Sequence, residues 1–181
     1  MHSKPVTALP GSAESPAAVV PSRPTVEELF LAHGNFVWRS LRQLGVTAAD
    51  LEDVVQEVFI VAYRRYDSWN GDAPRAWLFA IARKRASMYR RRGHRLHEQL
   101  AADELPEKGR ESDPSVRLDL ERLDRALATL DEDKRSVFIL HEIESLPMRE
   151  VAAAVGCSLH AAYARLHAAR RGLLRAVSEE P

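Results

Sequence analysis

Apolar residues in this chain fall at helical spacing once the first two dozen positions are past. From Val26 onward, Leu29, Phe30, Val37, Leu41 and Leu44 recur at steps of three, four and seven, which predicts an amphipathic helix. Gly45 follows as a stop signal. Thr47 or Asp50 is placed to cap a second helix, in which Leu51, Val54, Val55, Val58, Phe59 and Ala62 form a broad apolar stripe. Asn70 to Pro74 is a turn by composition. A third helix is predicted from about Arg75 to Arg92, with Trp77, Leu78, Ile81 and Ala82 inward. Gly93 to Ser115 breaks the pattern with Pro106, Gly109, Pro114 and many charges, and reads as a linker. Periodicity returns at Val116 with Leu120, Leu123, Leu127 and Leu130, and then on another helix with Val137, Leu140 and Ile143. No sustained two-residue alternation occurs, so the predicted class is all-α: two small helical domains joined by a flexible acidic linker.

Residues 1–24 are rich in Pro, Ala and Ser. They lack the apolar density to offset ordering entropy and are expected to be a disordered tail. The boundaries that follow are 25–95 for the first domain, 96–115 for the linker and 116–178 for the second domain. The tail has no continuous apolar core and does not read as a secretory signal. The longest apolar stretch, Val58 to Tyr63, is too short for a bilayer span, which needs about 20 residues. Cys157 is the single cysteine, so no intrachain disulfide can form and a reducing, cytoplasmic compartment fits.

Charge changes the picture more than its total suggests. Lys plus Arg and Asp plus Glu both number 26 in 181 residues, yet the signs are segregated. Arg75, Arg83, Lys84, Arg85, Arg90, Arg91, Arg92 and Arg95 follow one another with no acid among them. Glu98 to Asp113 is then predominantly acidic. Such blocks suggest a nucleic-acid-facing surface beside an acidic segment.

Three elements carry candidate chemistry. Asp50, Asp53 and Glu57 share one side of the second helix, bordered by Gln56. A solvated face is the simplest account of such a cluster, but like charges repel mildly, and a basic partner would relieve them. On the third helix the outward positions are nearly all basic, with Trp77, Phe79 and Tyr89 interleaved. Cations neutralise phosphates and rings stack on unpaired bases, so this helix and the turn from Trp69 to Pro74 suit a strand with a displaced base. Core packing is the plain alternative for Trp77, and a solvated helix end for Arg91 and Arg92. Met148 to Val155, with Val151, Ala152 and Val155 inward, Gly156 as the turn and Ser158 as a cap, then has the layout of a helix-turn-helix. Pro147 stands where a first helical turn tolerates it. On the second of these helices Ala162, Leu166, Ala169 and Leu173 face the core. His160, Ala161, Ala164, Arg165 and Ala168 face outward, where small residues let a backbone approach DNA and Arg165 can meet guanine or phosphate. An ordinary helical hairpin is the alternative. Cys157, His160 and His167 fall short of a zinc set, and neither a phosphate loop nor a recognisable triad is present. No metal, cofactor or catalytic residue is expected.

Taken in order, these motifs resemble bacterial RNA polymerase sigma factors of the extracytoplasmic-function (ECF) type of the sigma-70 family, over about Leu29 to Arg95 and Leu120 to Val177. Asp50-x-x-Asp53-x-x-Gln56-Glu57-x-Phe59 is similar to the family's polymerase-docking signature, and Trp77-Leu78-x-x-Ile81-Ala82-Arg83 to its promoter-melting helix. Leu130-Asp131-x-x-x-Arg135 with Glu150-Val151-Ala152 resembles the start of the sigma-four reader, and Arg165-Leu166-x-x-Ala169-Arg170 its recognition helix. The resemblance implies a sigma factor that is not an enzyme and that directs promoter-specific initiation by core RNA polymerase. It implies that Asp50, Asp53, Gln56 and Glu57 meet the clamp helices of the polymerase's largest subunit. It further implies that Trp77, Arg83, Lys84, Arg85, Arg91 and Arg92 open the minus-ten element of promoter DNA. His160, Ala161, Ala164, Arg165 and Arg170 would read the minus-thirty-five element, and the acidic linker would thread through the polymerase near the RNA exit path. An anti-sigma factor is a further partner that the resemblance allows. The chain departs from the family pattern at Lys84, often asparagine, and at Met88, often aspartate. It departs again at Ala161, Ala162 and Ala164, where hydroxylated and β-branched residues are usual, so promoter sequence does not transfer.

Two rival readings remain at this point. A stand-alone helix-turn-helix regulator would normally dimerise to read two half-sites, and no heptad run or apolar dimer face is evident, so a free monomer is expected. A nucleic-acid-processing enzyme would need a metal or acid-base constellation, and the sequence offers none.

Overall fold

The computed structural model of the chain describes residues 23–97 and 122–178, and all regular structure within them is helical. The first group comprises α1 (Val26–Gln43), α2 (Leu51–Arg65), a single 3-10 turn (Tyr66–Ser68) and α3 (Pro74–His97). The second comprises α4 (122–128), α5 (Glu132–Phe138), a π-turn (Ile139–Ile143), α6 (Met148–Val155) and α7 (Leu159–Ser178). The acidic linker between Glu98 and Ser115, Val116 and Leu120 of the resumed pattern, and tail residues 1–22 lie outside the described residues.

Local signals account for the helix ends. α1 opens with a reciprocal capping box: Glu28 N donates to Thr25 Oγ1 and Thr25 N donates to Glu28 Oε2. It closes before Gly45, whose φ of +88° an L side chain rarely adopts. α5 starts at Asp131, whose side chain accepts from Lys134 N at 2.9 Å. The Lys134 ammonium also lies 2.6 Å from Asp131, and these bonds hold the carboxyl below the usual carboxylate range.

Three sequence expectations change. Asp50 stands at the N-cap position of α2 but makes no capping bond; its carboxylate instead accepts from Thr47 Oγ1 and Tyr89 OH. Phe79, expected among the outward aromatics of α3, is fully buried, because it falls on the same side as Leu78 and Ala82. Phe30, expected in the core, is 48% exposed and packs edge-to-face with Phe59, ring centroids 5.0 Å apart. In addition, α3 passes through Gly93 to His97 rather than ending near Arg92. Arg23 and Pro24, assigned to the tail by composition, are tied down: the Tyr66 hydroxyl donates to both carbonyls, and the Arg23 guanidinium covers the Tyr66 ring.

The core runs as one apolar cluster through both groups of helices, from Leu29, Val37 and Leu41 through Val58, Leu78 and Phe79 to Leu127, Val137, Leu140, Val151 and Ala162. At about 25 cal/mol per Å² of apolar surface removed from water, this cluster is the main stabilising term. α3 packs on α1 and α2 on one side and on α6 on the other. The basic helix therefore lies at the joint between the two groups, which determines what its arginines touch.

Candidate nucleic-acid and polymerase interface

On α2, Asp53 and Gln56 are exposed, and among the described residues Asp53 has no hydrogen-bond or ion-pair partner. Glu57 is half-buried and faces Arg85 Nη1 at 3.3 Å and Arg92 Nη1 at 4.0 Å. Asp50 accepts from Tyr89 OH at 2.7 Å. Burial pushes the Tyr89 phenol above its ordinary range, so it stays a donor to this carboxylate. The mutual repulsion expected of the acidic face is thus already eased at both ends by α3. Its centre, Asp53 with Gln56, is the open part.

α3 presents two kinds of cation. Lys84, Arg91 and Arg92 are exposed. Among the described residues Lys84 has no ion-pair partner and Arg91 bonds only to Ser87 of its own helix. Lys84 and Arg85 join Arg64 and Arg65 of α2 around a groove of about 320 Å³ floored by Val61, Trp77, Ile81 and Met88. Apolar floor and cationic rim together offer a ring-stacking surface with phosphate partners on either side. Trp77 reaches this groove half-buried, stacked on Trp69 with ring centroids 4.6 Å apart and planes 10° apart. Trp69 is in turn buried and donates its indole N–H to the Asp72 carbonyl at 2.8 Å. The turn from Trp69 to Pro74 is therefore a built loop, and Trp77 both packs partly against the core and lines the groove.

The second kind of cation is already engaged. Arg83 bonds to Asp133, lies 3.1 Å from Glu132 in an ion contact not aligned as a hydrogen bond, and donates to the Val155 carbonyl at 3.2 Å. Arg90 pairs with Glu132 at 2.5 Å and donates to the Leu44 carbonyl. Arg75 reaches Glu144 at 2.6 Å. Composition cannot distinguish these two sets, because the acids that sort them lie far along the chain.

The helix-turn-helix is present. α6 buries Val151, Ala152 and Val155; Gly156 adopts φ +72° and ψ +42°, and Ser158 Oγ accepts from Ala161 N at 3.2 Å. On α7, Ala162, Leu166 and Ala169 are buried, so the β-branched residue usual at position 162 would be a packing residue. His160 and Ala164 are exposed, as predicted, whereas Ala161 and Arg165 are half-buried. Arg165 turns back to Asp133 at 2.7 Å, and exposed Arg170 pairs with Glu142 at 2.5 Å. Tyr163, 54% exposed, and His167 and Arg171, also exposed, complete the outer face. The sequence signal for these three is spacing: His160, Ala164, His167 and Arg171 follow the i, i+4, i+7, i+11 spacing of one helix side, with Tyr163 beside them.

A helical protein with an open acidic patch, a cation-rimmed aromatic groove and a helix-turn-helix belongs to the class that joins a protein partner to DNA. Comparison with known proteins places it more narrowly. Residues 29–96 match Sigma-70 region 2 and residues 120–173 match Sigma-70, region 4. The chain is 34% identical over 158 residues to the RNA polymerase sigma factor CnrH of Cupriavidus metallidurans, covering 81% of this chain and 83% of that one. It is 31% identical over 141 residues to the ECF RNA polymerase sigma-E factor of Escherichia coli K12, covering 71% and 74%. The solved structure of CnrH in complex with the cytosolic domain of CnrY superposes with a TM-score of 0.66 at 28% identity, over 86% of this chain and 89% of that chain. The chain belongs to the ECF-type sigma factors of the sigma-70 family. It is thus a non-enzymatic factor that directs transcription initiation, with DNA binding through region 4. Among the described residues no helix is long and apolar enough to cross a membrane.

Proposed function

We propose that this sigma factor docks core RNA polymerase through Asp53 and Gln56, with Asp50 and Glu57 as flanking acids, against the clamp helices of the largest subunit. The open carboxylate of Asp53 on a helix whose opposite stripe is core is the observation that carries this reading. A basic helix brought there gains a partner that no described residue supplies. The unpaired promoter strand lies in the groove between α2 and α3, with Trp77 stacking on a base, and Lys84, Arg85, Arg91 and Arg92 on phosphates. Arg83 joins that set once released from Asp133. α7 enters the major groove at the minus-thirty-five element with His160, Ala164 and Tyr163 outward, Ala161 allowing close approach, and Arg165 and Arg170 at its flanks. Residues 25–95 act as the first reader, 96–115 as the tether and 116–178 as the second reader. The free chain is a monomer that works in the cytoplasm, where the polymerase is, and an anti-sigma protein is its regulatory partner. CnrH, solved with the cytosolic domain of CnrY, supports a protein partner of that kind.

Reconstitution with core polymerase on a genomic promoter library tests the reading. Discrete run-off transcripts that require the chain are expected, and their absence with an intact core enzyme overturns it.

A further inference from the structure

We propose that Arg23 is a positioning residue for base stacking: it latches the turn from Trp69 to Pro74, and through the Trp69–Trp77 stack it sets the ring that meets the unpaired base. This rests on the assignment of the α2–α3 groove to an unpaired strand made above.

Arg23 reaches this turn from outside the region 2 match, which spans residues 29–96. Its guanidinium lies 3.9 Å from the centre of the Tyr66 ring and donates to the Trp69 carbonyl, a cation on a ring face and a charge-assisted bond at once. Tyr66 fixes the segment in return, since its hydroxyl donates to the Arg23 and Pro24 carbonyls at 3.2 and 3.0 Å. The aliphatic stem of Arg23 lies over Gly71, where a Cβ would stand 3.2 Å from Cγ and 3.3 Å from Cδ. Gly71 also has a φ of +91°, so the shape of the turn and the close approach of Arg23 both call for a residue without a side chain. Asp67 is 4.0 Å away and fully exposed, and adds little.

Among the described residues the other hydrogen bonds that hold the turn run within residues 66–77. Trp69 N donates to the Tyr66 carbonyl, the Trp69 indole to the Asp72 carbonyl, and Asn70 and Asp72 exchange two bonds. This local set includes Ala73 at φ +42°, directly before Pro74. A non-glycine residue in that region persists only where its surroundings over-determine it, and the hydrogen bond brought from a distance is that of Arg23. What the turn holds is the groove wall. Trp69 is buried, and Trp77 stacks on it and lines the groove. Stacked rings prefer one offset arrangement, so a shift of Trp69 carries Trp77 with it. Arg23 itself does not line the groove. It therefore governs stacking without taking a phosphate, unlike Lys84 and Arg85 at the rim.

The experiment measures binding of the full chain, from low ionic strength upward, to a labelled single-stranded oligodeoxynucleotide of mixed sequence and to the same strand made abasic at its central positions. The ratio of the two affinities reads stacking, and the dependence on salt reads phosphate contacts. Trp77→Ala is expected to remove most of that ratio, about fivefold or more. Arg23→Ala is expected to reduce it several-fold, with the abasic strand bound as by wild type and the salt slope unchanged. In the Trp77→Ala background Arg23→Ala is expected to add nothing further, the mark of two residues acting through one contact. Tyr66→Phe keeps the ring beneath the guanidinium and removes only the bonds to the two carbonyls. It is expected to show a smaller loss of the same kind, and it serves in place of Arg23→Ala if circular dichroism shows that variant unfolded. A full Arg23→Ala effect in the Trp77→Ala background, a shallower salt slope, or a wild-type ratio in the folded variant overturns the proposal. A wild-type ratio in Trp77→Ala alone is the separate signature of a wrong groove assignment, and the role of Arg23 falls with it.

Discussion

The two helices proposed to face DNA are both basic and use their charge differently. On α7 the outer face of His160, Tyr163, Ala164, His167 and Arg171 is exposed, and among the described residues Arg165 and Arg170 at its flanks are paired. On α3 the cations open among the described residues are Lys84 and Arg91, with Arg92 4.0 Å from Glu57, while Arg75, Arg83 and Arg90 brace the joint to region 4. An arginine-rich helix is therefore not uniformly a nucleic-acid surface. Where such a helix lies between two packed units, part of its charge is structural, and which part depends on acids supplied by the other unit.

The sharpest division within α3 is between Phe79 and its charged neighbours. Phe79→Ala is expected to destabilise the chain by about 3–5 kcal/mol, measured by denaturant unfolding, because the ring is fully buried. A stability near wild type would return Phe79 to the stacking surface first expected for it. On the α7 side, Gly156→Ala meets no atom within 4 Å, so its cost is backbone strain alone, about 1–2 kcal/mol for a left-handed residue. Thermal melting checks it, and a neutral result would mean that the turn relaxes.

A smaller effect distinguishes the cap of α5 from the acids that face α3. Asp131→Ala should cost about 1 kcal/mol at neutral pH, whereas Asp131→Asn keeps a capping oxygen. The Asp131 carboxyl is held below the usual carboxylate range, chiefly by the hydrogen bond from Lys134. Its contribution is therefore fully present above the ordinary aspartate pKa and is lost as pH falls through the lowered one. Unfolding measured from neutral to acid pH should show the Asn variant losing less than wild type over that window. Parallel curves would contradict the assignment.

The smallest effect bears most directly on the comparison. Lys84→Ala should leave stability unchanged and reduce the slope of log affinity for single-stranded DNA against log salt by about 0.7, one phosphate contact. Arg83→Ala should change both stability and DNA binding, since it also removes one of the two arginine partners of Asp133 and the donor to the Val155 carbonyl. Identical behaviour of the two variants would erase the distinction between open and bracing cations.

Much of this was legible in the sequence. Apolar spacing located α1, α2, α3 and the helix-turn-helix, because an amphipathic helix writes its buried stripe in its own period. The acidic face, the turn at Asn70–Pro74 and the left-handed Gly156 were legible for the same local reason. Phe79 was misplaced because an aromatic among arginines looks the same by composition whether it is stacked or buried. The pairing of Arg83 with Asp133, or of Arg39 and Arg75 with Glu144, has no local signature, since it depends on how two helical groups meet. Tyr163 lies within reach of periodicity, next to Ala164 on the exposed side of α7.

The central claim is that an open carboxylate on α2 receives the polymerase. Equilibrium binding of core RNA polymerase to the chain carrying Asp53→Arg tests it most directly, because Asp53 is exposed and pairs with nothing described, so folding is not at stake. The account predicts a loss of at least about tenfold, roughly 1.4 kcal/mol, with an unchanged melting curve. Affinity equal to wild type would contradict it.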